Sequence, residues 1–180
     1  MKRWVAYCSV LLLSASAQLS AEMERAVEVS FIQPEKFTDF RAANGGRNDG
    51  RNRLMSEIER FIRERADLWL PEGYSMTMVF NDIDLAGRIV PLPLRASAGG
   101  ASMGGFGSAG EQRIVESPWP PRLNFDYQVF DDNGALAREG SADISTTQFL
   151  RLSPRARQQR RDGLWYEKAV IDSWMRELSE

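Results

Sequence analysis

Hydrophobic residues fall at every second position near the start of the body of the chain, where Val27, Val29 and Phe31 alternate with Glu28 and Ser30. Period two marks a strand with one buried face, and Pro34 closes the run, so 27–32 reads as a half-buried strand. A loop follows from Arg41 to Gly50, carrying Asn44-Gly45-Gly46 and Asn48-Asp49-Gly50. The period then changes: Leu54, Ile58, Phe61, Ile62, Leu68 and Trp69 recur at helical spacing with Arg and Glu between them. That pattern predicts an amphipathic helix over 51–69, ended by Pro71 and Gly73.

Tyr74, Met76, Met78 and Phe80 share one parity and predict a second strand, but Ile83 and Leu85 carry the opposite parity. One extra residue near Asn81 or Asp82, a β-bulge, accounts for the flip. The Gly-rich run from Ser97 to Gly110 has too few large apolar residues to build a core and is expected to be a mobile loop. It lacks the Gly-Lys-Ser/Thr ending that a phosphate-cradling P-loop requires. Beyond the rigid corner Pro118-Trp119-Pro120-Pro121, Leu123, Phe125, Tyr127 and Val129 alternate with polar residues. Asp131-Asp132-Asn133-Gly134 then predicts a hairpin turn with a return strand from Leu136 to Ile144. Ser145, Thr146 and Thr147 can cap a short helix through Leu152, and a last amphipathic helix is expected over 164–178. Helices segregated from the strands predict an α+β fold of two layers, a mainly antiparallel sheet with helices on one face.

The opening residues belong to a different grammar. Lys2 and Arg3 precede an apolar run from Trp4 to Leu13, and small residues follow through Ala21. Basic, apolar and small segments in that order predict a secretory signal peptide over 1–21, cut after about 17 to 21. The apolar run is about half the ~20 residues that a bilayer-spanning helix needs. The remaining 22–180 is expected to form one domain, exported to the periplasm or secreted, with no transmembrane segment of its own.

Composition narrows the chemistry. The chain holds no histidine, and its one cysteine, Cys8, lies in the leader and too early for lipid attachment. A body without thiol or imidazole has no Ser-His-Asp or Cys-His machinery and none of the commonest zinc ligands. Carboxylates, Tyr and Arg are what is left. The chain counts 23 basic against 25 acidic residues, and removing Lys2 and Arg3 leaves 21 against the same 25. That balance argues against nucleic acid as a partner. Lysine occurs only at Lys2, Lys36 and Lys168, so nearly every cation is Arg, whose planar fork suits carboxylates and phosphates.

Several segments together, rather than one motif, carry a family likeness. They are Val27 to Ile32 with Pro34 to Asp39, Asn81-Asp82-Ile83-Asp84-Leu85-Ala86-Gly87, Trp119-Pro120 with Arg122, and Leu164-Trp165-Tyr166-Glu167-Lys168 ahead of Trp174. In this order they resemble an exported proteobacterial family known only as a domain of unknown function, number three-zero-one-six. The resemblance spans the whole body of the chain and implies a small envelope domain with no activity to carry over.

Candidate site residues follow from these segments. Asp82 and Asp84, two positions apart on a strand, share a face about 7 Å apart and are the candidate pair for a hard cation or for acid–base work. The plainer alternative is that they end the strand by accepting backbone N–H bonds or by pairing with Arg. Asp39, Arg122, Tyr166 and Glu167 are expected to join them in an Arg–carboxylate network at one end of the sheet. Trp119, between prolines, is a candidate aromatic anchor. Arg151, Arg155, Arg157, Arg160 and Arg161 form a candidate patch for an anionic envelope component. The sequence thus predicts no cofactor and leans away from catalysis, toward a periplasmic binding or envelope-maintenance protein. A carboxylate-based hydrolase or metal-dependent binder using Asp82 and Asp84, and a structural subunit of an envelope complex, are the alternatives.

Overall fold

The computed structural model describes residues 27–43, 47–92, 110–148 and 163–180. The predicted leader, most of the Gly-rich run and the arginine run fall outside those residues. Among the described residues six strands and two α-helices follow in the order β1 (Val27–Phe31), α1 (Arg47–Trp69), β2 (Ser75–Asp84), β3 (Arg88–Pro91), β4 (Glu111–Ile114), β5 (Arg122–Phe130), β6 (Leu136–Ser145) and α2 (Trp165–Ser179), with a 3-10 turn at Pro34–Lys36 after β1. The main sheet runs β1-β2-β5-β6, and β3 and β4 form a separate two-stranded ribbon. The fold is α+β, as the pattern of elements predicts.

The register explains the two parities of β2. Met76, Met78 and Phe80 lie opposite Val129, Tyr127 and Phe125, and the pairing slips between Phe80 and Asp82. Asn81 is the extra residue, so Ile83 returns to the buried face beside Leu123. The β5–β6 hairpin closes through Asp131, whose side chain accepts the N–H groups of Asn133 and Ala135.

Three features differ from the sequence expectation. β1 pairs with β2 in parallel, because α1 carries the chain back across the sheet between them. α1 begins at Arg47 rather than 51, taking in Asn48, Asp49 and a buried Gly50 that local propensity assigns to a loop. The β3–β4 ribbon has no signature in the sequence, since its strands are four residues each and lie far apart along the chain. Of the short helix expected through Leu152, the described part is the turn at Thr147 and Gln148.

Both helices pack on one face of the main sheet. Ile58, Ile62 and Ala66 of α1 and Ile171 and Met175 of α2 are buried against Met78, Phe80, Leu123 and Phe125. A file of aromatic rings crosses this layer. Phe31 stacks on Phe80 at 5.3 Å, Phe80 meets Phe125 at 5.1 Å, and Phe125 meets the edge of Trp174 at 4.7 Å. Tyr127 reaches the same indole at 5.0 Å, lying over Gly140 on the neighbouring strand. A side chain at Gly140 would start 3.1 Å from the Tyr127 hydroxyl, so the missing Cβ makes room for the ring.

Candidate functional site

Arg113, on β4, is the centre of the polar end of the molecule, and its side chain is only 14% exposed. Nη1 donates to Asp39 Oδ2 at 2.9 Å, while Nη2 donates to the carbonyls of Asp39 at 3.1 Å and Arg41 at 3.0 Å. Nη1 also lies 3.5 Å from the carbonyls of Leu85, Ala86 and Gly87. A guanidinium offers five N–H donors in a fixed fork, which is why one Arg can gather carbonyls from two loops. Arg41 reinforces the ribbon through a 2.7 Å bond from Nη1 to Glu111.

Glu167 approaches the same turn from the other side. It sits in the first turn of α2, 1% exposed, and its Oε1 accepts the Ala86 N–H at 2.7 Å. The turn at 85–87 is therefore gripped through its carbonyls by Arg113 and through an N–H by Glu167. Gly87 permits the geometry. Its φ is +81°, and a Cβ there would lie 2.1 Å from the Ile114 carbonyl oxygen.

Asp82 and Asp84 do share the sheet face away from the helices, opposite Asn124 and Arg122. They do different work. Asp82 accepts the Thr38 N–H at 2.7 Å with one oxygen and the Thr38 hydroxyl at 2.9 Å with the other, tying the β1–α1 connection to β2. Asp84 is half-buried; burial, reinforced by the neighbouring charges of Asp39 and Asp82, pushes its carboxyl above the ordinary range against the pull of Arg113 and Arg122. Arg122 turns across to β6, where its Nε donates to Asp143 at 2.8 Å, and that bond holds the Asp143 carboxyl below the ordinary range.

The expected network is thus divided. Asp39, Asp82 and Asp84 stand together with Arg113, the partner that sequence reasoning missed. Glu167 is buried behind the 85–87 turn, and Tyr166 lines two cavities flanking α2. Nothing in the spacing around Arg113 distinguishes it from the chain's other arginines. Trp119 is 36% exposed; its ring lies 4.6 Å beneath the Arg88 guanidinium and its carbonyl accepts the Gly87 N–H at 2.9 Å. It braces the turn and keeps one edge in solvent. Arg151, Arg155, Arg157, Arg160 and Arg161 lie outside the described residues.

A roomy concavity lies elsewhere, between β6 and α2. It measures about 660 Å³, with Ile144, Ser145 and Thr146 on the strand side and Tyr166, Ala169, Val170, Ser173, Trp174 and Glu177 on the helix side. Those helix positions recur at three and four residues, one continuous stripe of α2. Among the described residues no group of three or more His, Cys, Asp or Glu side chains is placed to hold a metal ion.

Fold and site together define a small α+β domain whose polar end is a structural clasp and whose open groove flanks a sheet edge. The chain belongs to the family described as Protein of unknown function (DUF3016), whose model matches residues 25–177. No curated protein matches it. Among solved structures it is similar to a minor lipoprotein from Acinetobacter baumannii, at 11% identity and a TM-score of 0.24 over 87% of this chain and 90% of that one. Among the described residues no helix is long and apolar enough to cross a membrane.

Proposed function

We propose that this protein is an exported, non-catalytic domain of the bacterial envelope that works by binding a partner. The observation that carries the reading is the division of labour between clasp and groove. Of the carboxylates that could have acted as acid, base or metal ligands, Asp82 holds Thr38 and Glu167 holds Ala86, while Asp84 lies among the charges of Asp39, Asp82, Arg113 and Arg122. The cavity between β6 and α2 is lined instead by a mixed polar and apolar surface, the composition of a recognition groove. Export is supported by the basic, apolar and small order of residues 1–21, which precede the family match at residue 25. The same leader and the thiol-free body support a periplasmic location.

Two measurements test this. Mass spectrometry of the periplasmic fraction should recover a chain beginning between Gln18 and Glu22; an intact Met1 in the cytoplasm would remove export from the account. A melting-temperature screen against envelope fractions should find a stabilising component, since a ligand that binds only the folded state raises its stability.

A further inference from the structure

The outer edge of β6 ends the main sheet and has a cavity beside it. β6 is ten residues long, it ends the four-stranded sheet, and among the described residues no strand pairs with its outer side. A free edge of that length carries a row of unpaired N–H and C=O groups, and a peptide can add to it as another strand. At one end Arg138 Nη1 donates to the Leu178 carbonyl at 2.7 Å, which closes strand against helix. Toward Ser145 the two separate into the 660 Å³ groove.

The two faces flanking that edge differ in chemistry. On the helix side Ile144, Ala169, Val170 and Trp174 give the groove an apolar floor, with Tyr166, Ser173 and Glu177 also in its lining. On the far side of the sheet Glu28, Asp82, Asp84, Asp126, Glu139 and Asp143 project from the strands; among the described residues of those strands Arg122, paired with Asp143, is the one cation on that face, and Arg113 of the ribbon stands beside Asp84. Successive side chains of a strand point to opposite faces. A strand added at β6 would therefore send alternate residues over the apolar floor and the others onto the acidic face.

We propose that β6 receives an extended segment of another protein as a fifth strand, with apolar residues alternating with Lys or Arg. This rests on the reading of the chain as a binding domain and names the site and the class of partner. The acidic face selects the partner: a second copy pairing edge to edge would continue one acidic face into another, and like charges opposite one another destabilise a sheet. An anionic lipid surface is disfavoured for the same reason.

The test titrates the purified protein with a short peptide alternating Val and Lys, with the same peptide carrying Glu for Lys, and with the Lys peptide methylated on alternate backbone amides. Trp fluorescence reports binding, because Trp174 lines the groove. The Lys peptide should saturate, weaken as salt is raised, and bind about tenfold or more tighter than the Glu peptide. Methylation in the register that faces β6 should abolish binding, because it removes the ladder donors. Ser173→Trp, which fills the groove, should block it in a protein whose melting is unchanged; should that variant fail to fold, the methylated peptide decides the question alone. Equal binding of both charge signs, or binding that survives methylation in both registers, overturns the proposal. So does a dimer seated on β6, or binding that emerges only when the five arginines between 151 and 161 are replaced, which would assign the groove to this chain itself. Stabilisation by anionic vesicles with no peptide binding would overturn strand addition and leave the binding-domain reading standing. Silence toward peptides and all envelope fractions alike would remove both.

Discussion

Arg113 reaches back 74 positions along the chain to Asp39, with Nη1 2.9 Å from Oδ2, and in doing so fastens the β3–β4 ribbon to the connection that follows β1. Asp39 itself adopts a left-handed φ of 39°, a conformation that Asp tolerates better than most residues. The pair is therefore a fastening between two segments that share no strand pairing.

Removing that fastening should be costly. Arg113→Met leaves the Asp39 carboxylate and several carbonyls without their donor, and the expected loss is about 2–4 kcal/mol of unfolding free energy. Arg113→Lys should recover only part, since an ammonium cannot span both loops with a planar fork. Urea unfolding of the three proteins checks this, and a methionine variant within about 0.5 kcal/mol of the parent would contradict it.

Gly87→Ala should be among the most damaging single substitutions in the chain. The new Cβ would meet the Ile114 carbonyl oxygen at 2.1 Å while φ is held at +81°. The left-handed backbone alone costs a non-glycine residue roughly 1–2 kcal/mol, before the ribbon moves aside. A melting curve coinciding with that of the parent would show that the ribbon yields freely.

Glu167 invites a graded comparison. Glu167→Gln keeps an acceptor for the Ala86 N–H, whereas Glu167→Ala leaves a buried donor without one. The alanine variant should lose about 1–3 kcal/mol and the glutamine variant clearly less. Equal losses would mean that the charge, not the bond to Ala86, is what matters.

Asp84 gives a pH signature of opposite sign to its neighbours. Folding raises its pKa, so the folded chain holds that proton to higher pH than the unfolded chain does. Its effect on stability is most favourable in acid and declines as pH climbs from the ordinary Asp value of 3.8 through the raised one. Asp126, held below the ordinary range by the Ser141 and Asn81 hydrogen bonds, and Asp143, held there by Arg122, contribute above that value and lose their contribution as pH falls. Asp84→Asn mimics the neutral form. It should melt higher than the parent at neutral pH, with the difference closing in acid; a difference independent of pH would sink the assignment.

Much of the fold was legible because burial imprints itself locally. Leu123, Phe125 and Val129 are buried on one parity of β5, and the parity break near Asn81 marked the bulge that the register contains. What sequence could not supply is long-range choice. Nothing in Val27 to Phe31 states that its partner is parallel, and the four-residue strands of the ribbon are too short to carry a period. The helix start at Arg47 was obscured because Asn48, Asp49 and Gly50 are poor helix formers that tertiary packing overrides. At the clasp the acidic members stood out as Asp39, Asp82 and Asp84, but their cation came from a distant ribbon. Charge partners across such a span leave no spacing to read.

The slip at Asn81 also fixes how this chain can change. Were the ladder to run on regularly with position 81 kept, the pleat downstream would invert: Ile83 would turn toward solvent and Asp82 and Asp84 toward the hydrocarbon layer, while Thr38 would lose its anchor. Loss of position 81 itself would instead leave Phe80 and Ile83 on the buried face and Asp82 and Asp84 on the other, opposite the same partners, so descendants of this sequence can shed the bulge but cannot flatten it.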